Sequence, residues 1–149
     1  MKKIILLFML FVFNNSNAQC GFNLDELLNL TVANTSDYET IILTKGYEFN
    51  SKTDNYFCGL YKDSFGISKR FQSGKFYGFL YITYSKENYL DIKKRMIDMH
   101  FKFKETTKIS DTEAMVYETK NFHITLFTKT IDYTPNYNVL IEIDLLSLK

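Results

Sequence analysis

Twice along this chain, apolar residues at helical spacing give way to a stretch in which every second residue is apolar or aromatic. That change of period restricts the fold to helices that lead directly into strands. The first change falls at Gly46. Ser36-Asp37-Tyr38-Glu39 reads as a capping box, followed by Ile41, Ile42 and Leu43, with Gly46 where a left-handed C-terminal cap is wanted. A short helix is expected from about Asp37 to Lys45, and Leu24, Leu27, Leu28 and Leu30 fit another turn or two upstream. Beyond Gly46, Tyr47-Glu48-Phe49 begins a strand and Asn50 to Asn55 is turn chemistry. Tyr56–Lys62, Ile67–Phe71 and the long Phe76–Tyr84 read as strands, the last two joined by a hairpin at Gln72-Ser73-Gly74-Lys75.

The second change repeats the first. Ser85 caps a helix from Lys86 to about Met99, in which Tyr89, Ile92, Met96 and Met99 form one stripe. Lys93, Lys94 and Arg95 then make a solvated face, with Asp91 paired to Arg95 one turn on. Phe101-Lys102-Phe103, Ala114–Lys120, His123–Thr130 and Val139–Leu146 read as strands, with a turn around Ser110-Asp111-Thr112-Glu113. Tyr47 and Phe49 fall on Phe101 and Phe103, which suggests an internal repeat over about 36–84 and 85–146. Strands that follow one another directly pair antiparallel. The expected fold is therefore α+β: two tandem α-β-β-β(β) units forming one antiparallel sheet, with two main helices packed on one face. In element order alone this resembles the tandem helix-plus-meander fold of secreted β-lactamase inhibitor proteins. The resemblance implies that an open sheet face binds a partner protein, and it transfers no binding residue.

Ahead of this domain, Met1-Lys2-Lys3 precedes the uncharged run Ile4 to Phe13 and a polar stretch ending at Ala18. These are the three parts of a secretory signal. Ten apolar residues rise only about 15 Å as a helix, roughly half a hydrocarbon core, so a membrane anchor is disfavoured. Ser16-Asn17-Ala18-Gln19 resembles the cleavage sites of exported proteins of Gram-negative bacteria, cut between Ala and Gln. The expected organisation is a signal peptide over 1–18 and one domain over 19–149, exported to the periplasm or secreted. The leader takes two lysines with it, so the 18 basic and 17 acidic residues of the whole chain become 16 and 17. Near-neutral, scattered charge argues against nucleic acid or an anionic membrane as partner. Of the cysteines, Cys20 and Cys58, three fates are open. They form a disulfide, suited to an oxidising compartment; they stay as thiols; or Cys20 is lipidated, against which Gln19 is too large a neighbour.

Chemistry is harder to find. His100 ends the second helix, where a donor suits the helix dipole, and His123 sits on the polar face of a strand. No metal-ligand spacing occurs and no metal or other cofactor is implied. Asp63-Ser64-Phe65-Gly66 lacks the first glycine of a nucleophile elbow, and nothing basic flanks Cys58. No catalytic residue is assigned, and an enzyme stands as the third reading, its carboxylates meeting only in space.

What remains is an aromatic surplus: eleven Tyr, and eleven of the fourteen Phe beyond the leader. Phe76–Tyr84 is apolar or aromatic on both sides, where a half-exposed antiparallel strand alternates. Either both sides are covered, by chain or by a second copy in a homodimer, or Tyr77, Phe79 and Tyr81, with Tyr56 and Tyr61 nearby, form an open platform for a partner. The sequence-level expectation is a non-catalytic exported module engaging a protein or envelope partner through that face. The alternative is a small-ligand carrier with a pocket lined by Met96, Met99 and Ile41.

Overall fold

In the computed structural model, which describes residues 20–59, 65–72 and 75–143, three helices and eight strands alternate as the periodicity demands. Helices α1 (Leu24–Val32) and α2 (Thr35–Thr44) precede strands β1 (Glu48–Asn50), β2 (Asn55–Cys58), β3 (Phe65–Gln72) and β4 (Lys75–Thr83). Helix α3 (Lys86–Asp98) precedes β5 (Lys102–Ile109), β6 (Thr112–Glu118), β7 (Phe122–Ile131) and β8 (Thr134–Ile143). All eight strands form one antiparallel sheet in the order β1-β2-β3-β4-β8-β7-β6-β5. The α+β class with helices on the sheet is thus as expected, with one more helix than the two main ones. The proposed signal peptide, Tyr61, the Asp63-Ser64 turn and the Ser73-Gly74 connection lie outside the described residues.

The helix starts differ from the sequence reading in an instructive way. The true capping box is at α1, where the Asn23 side chain accepts from the Glu26 N–H and Glu26 accepts from the Asn23 N–H, each at 2.9 Å. At α2 the cap is Asn34, whose side chain accepts from the Asp37 N–H at 3.0 Å, and Ser36 lies inside the helix. Asn competes with Ser as an N-cap, and starting two residues earlier adds bonds to a short helix. Ser85 caps α3 as expected, accepting from the Asn88 N–H. Both α2 and α3 end on a left-handed residue, Gly46 (φ 85°) and His100 (φ 62°). After each, the next residue returns an N–H to the last turn, Tyr47 to the Ile42 carbonyl and Phe101 to the Met96 carbonyl.

The core lies between the helices and one face of the sheet. Helix α1 buries Leu24, Leu27 and Leu30 completely, and α3 buries Ile92 and Met96. From the sheet, Ile67, Phe79, Tyr81, Ile124, Leu126, Val139 and Ile141 meet them, each at most 1% exposed. Each such side chain contributes roughly 2 kcal/mol, so a single Leu27→Ala change costs about 2–5 kcal/mol. Strand β4 turns Phe79 and Tyr81 into this core, while Leu80 and Ile82 on its other side are only half-buried. It sits between β3 and β8, with Leu80 facing Leu140 on the side away from the helices. Cys20 and Cys58 lie joined in the same core, with Cα atoms 5.9 Å apart. They tie the residues ahead of α1 to the end of β2. The Tyr47 hydroxyl reinforces that tie, donating to the Cys20 carbonyl at 2.6 Å.

Candidate functional site

The aromatic platform expected on β4 is not a surface. Phe79 and Tyr81 are fully buried beneath α1 and α3. The Tyr81 hydroxyl accepts from the Phe22 N–H at 3.2 Å and donates to Asn88 Oδ1 at 2.9 Å, and Asn88 Nδ2 donates to the Phe22 carbonyl at 3.0 Å. Burial pushes the Tyr81 hydroxyl well above the ordinary tyrosine range, so it acts as a neutral strut. Tyr77 is half-buried and is the extra residue of a bulge, since Arg70 faces Gly78 and Phe71 faces Phe76. The methionine pocket dissolves as well. Met96 is core, Met99 packs against it, and Ile41 is exposed on the outside of α2.

Of the expected site residues, Tyr56 lines a concavity, and its neighbours were not anticipated. Three consecutive apolar residues, Ile41-Ile42-Leu43, cannot all face one sheet from a helix. Tyr38 and Ile42, four apart, turn inward, which leaves Leu43 54% exposed. Below them β3 alternates Ile67, Lys69, Phe71 on the helix side, moving outward from core to rim. The bulge at Tyr77 brings Phe76 opposite Phe71, with ring centroids 6.0 Å apart. Phe49 of β1 leans on Tyr56 at 5.0 Å, and Tyr56 meets Tyr38 edge-on at 6.3 Å.

The result is a groove between α2 and the outer strands, with Phe49 51% and Phe71 57% exposed on its rim. It consists of two cavities that share Lys69 and Phe71. One, about 380 Å³, runs to Ala33, Asn34 and Thr35 at the start of α2. The other, about 450 Å³, runs past Glu39 and Asp54 toward Phe49 and Leu43. Both volumes fall in the range of roughly 300–1,000 Å³ usual for small-molecule sites. The Lys69 ammonium lies 4.2 Å over the Tyr38 ring and 3.8 Å from Glu39 Oε1. The Tyr38 hydroxyl beside it is buried and, among the described residues, has no hydrogen-bond partner. Burial is the main reason that this hydroxyl stays protonated far into alkali, with Tyr56 and Glu39 nearby adding to the effect. The same causes, burial first and then Glu39, raise Tyr56.

A further carboxylate, Asp37 in the first turn of α2, borders the groove and accepts from Asn34 Nδ2 at 2.8 Å. His123 lies 3.7 Å from a Glu118 carboxylate oxygen, opposite it in the β6–β7 ladder. Among the described residues, no group of three or more His, Cys, Asp or Glu side chains is placed to hold a metal ion. Comparisons with protein-family models, with curated proteins and with solved structures find no match.

Proposed function

We propose that this chain is an exported, non-catalytic binding module whose binding surface is the groove between α2 and β1–β3. The observation that carries the reading is the combination of solvent-facing rings, Phe49 and Phe71, with the Lys69–Glu39 ion pair and, beneath them, a buried hydroxyl that has no partner among the described residues. Phe49 and Phe71 pack on Tyr56 and Phe76 with one side of each ring and leave the other to solvent, and aromatic rings beside a few polar groups are a common make-up of binding sites. The buried Cys20–Cys58 pair and the leader-like first 18 residues support export to an oxidising compartment. The shared left-handed helix ends, with Tyr47 and Phe101 both buried just after them, support two duplicated units over about 36–84 and 85–146. A small-ligand carrier is the favoured form of the module, because the cavities run beneath α2 rather than lying flat on the sheet.

The test is recovery of bound material. The full chain, tagged at its C-terminus and expressed in its native host, is purified beside a Phe49→Ser/Phe71→Ser variant, and both are analysed by native mass spectrometry and proteomics. A molecule, small or protein, that accompanies the wild type and is lost from the folded variant supports the groove. Identical bound material in both proteins refutes it.

A further inference from the structure

The charges along the groove are matched at all but one place. At the start of α2, Asp37 answers the helix dipole and is bonded to Asn34. On the floor, the Lys69 ammonium is paired with Glu39 and lies over the Tyr38 ring. Asp54, in the turn between β1 and β2, is different: it lines the larger cavity, and among the described residues it makes no ion pair. Two carboxylates and one ammonium leave this cavity with one negative charge over. Three rings line it as well. Phe49 and Tyr56 are tilted 51° to each other with centroids 5.0 Å apart, and Phe71 has more than half of its surface in solvent. One cation can therefore lie within about 6 Å of both the Phe49 and Tyr56 centroids, the range over which a ring face attracts it. A single spare carboxylate among ring faces suits one kind of cation. A metal ion needs several oxygen ligands, and no group of three or more His, Cys, Asp or Glu is placed for that among the described residues. A primary ammonium needs hydrogen-bond acceptors, which the phenylalanine rings do not supply. An alkylated ammonium carries its charge beneath an apolar shell and gains from both the rings and the carboxylate.

We propose that the cavity lined by Phe49, Asp54, Tyr56 and Phe71 binds a small alkylated ammonium compound free in solution. The cationic end lies against the Phe49 and Tyr56 rings, with Asp54 as its counter-ion. This assignment rests on the groove being the binding surface, and it gives the carrier a ligand class.

The experiment titrates the full chain, ¹⁵N-labelled and oxidised, with choline chloride and separately with dimethylbutanol, which has the shape of choline without its charge. Sodium chloride at equal concentration corrects for ionic strength. Choline is expected to shift the amides of Phe49, of Asp54 to Tyr56 and of Lys69 to Phe71 saturably, and to bind more tightly than the alcohol. Phe49→Leu keeps an apolar side chain but removes the ring face, and should weaken choline about two- to fivefold while leaving the alcohol nearly unchanged. Asp54→Asn removes the charge alone. Asp54 has φ 51°, a left-handed backbone that Asn also adopts readily, so the turn survives and choline should weaken about threefold. Choline binding no tighter than the alcohol, or unchanged in both variants, overturns the ammonium assignment and leaves the groove standing. Co-sedimentation of the chain with phosphatidylcholine vesicles, displaced by choline, overturns the free solute in favour of a lipid headgroup. Absence of saturable shifts with either probe also overturns the assignment, and the groove itself falls only when the Phe49→Ser/Phe71→Ser protein also keeps all of its bound material.

Discussion

Removing one oxygen from Tyr81 isolates what that residue does. Tyr81→Phe keeps the ring, which packs edge-on to Phe22 at 6.0 Å and stacks near Phe65 at 6.3 Å, so core volume is almost unchanged. What disappears is the acceptor for the Phe22 N–H and the donor to Asn88. Phe22 is fully buried, so its N–H then has neither protein nor water as a partner, which costs about 1–3 kcal/mol. Asn88 is only half-buried, and water can replace its lost bond at little cost. The expected loss is therefore about 2 kcal/mol. With a urea dependence of about 1–3 kcal/mol per molar, the midpoint of unfolding drops by roughly 1 M at unchanged slope. Equilibrium urea unfolding followed by circular dichroism measures this, and native-state hydrogen exchange of the Phe22 amide localises it. A loss below about 0.5 kcal/mol, or unchanged exchange at Phe22, would refute the strut. Tyr81→Ser removes the ring as well and adds about 3–5 kcal/mol for the cavity. Serine at Tyr77 and Tyr81 together consequently tests folding, not recognition.

Three further outcomes follow from the packing. Cys20→Ser, or reduction, frees a cross-link between residues 38 apart in sequence, and chain entropy puts the loss at about 4 kcal/mol, readable as a lower urea midpoint. Tyr38, Tyr47 and Tyr81 are each raised by burial above the ordinary value of 10.0. The folded protein therefore holds those protons where the unfolded chain releases them. Stability is intact below about pH 10 and falls above it, by up to about 4 kcal/mol per pH unit for the three together. Of the tyrosinate absorbance of the eleven tyrosines, a component equal to three should appear only with alkaline unfolding, and its appearance while the protein stays folded would show these rings accessible. At Gly78 an added Cβ would meet the Ile141 carbonyl oxygen and lie 2.9 Å from Glu142 Cα on the neighbouring strand. Gly78→Ala should cost at least about 3 kcal/mol, seen as a lowered melting temperature, because backbone cannot yield as a side chain can.

Where the sequence reading succeeded, the signal was local. Ser85 and the Tyr89, Ile92, Met96 stripe needed nothing beyond neighbours on one helix, and they placed α3 almost to the residue. The early helix was found but its cap was misplaced, because Asn34 and Ser36 are both good caps and only the finished turn chooses between them. Strand β8 begins at Thr134, earlier than the Val139 that periodicity suggested, and so takes in Pro135. It is tolerated here because it sits at the hairpin end, opposite Thr130. The site was not legible. Tyr56 was picked out by composition, but Tyr38, Lys69, Phe71 and Phe49 come from α2, β3 and β1 and meet only in space. The one available hint was Ile41-Ile42-Leu43, more apolar residues in a row than a helix can bury against one sheet.

By itself the amino-acid sequence determined the α+β class and the order of helices and strands, because caps and periodicity act between residues a few positions apart. The tertiary structure alone decided which faces are wet. The sequence cannot say that α1 and α3 lie over β4 at the centre of the sheet and enclose Phe79 and Tyr81. Nor can it say that α2 overhangs β3 and leaves Phe71 in solvent above Lys69. Side chains of one composition become core or surface according to what long-range pairing lays over them, and no local pattern records that.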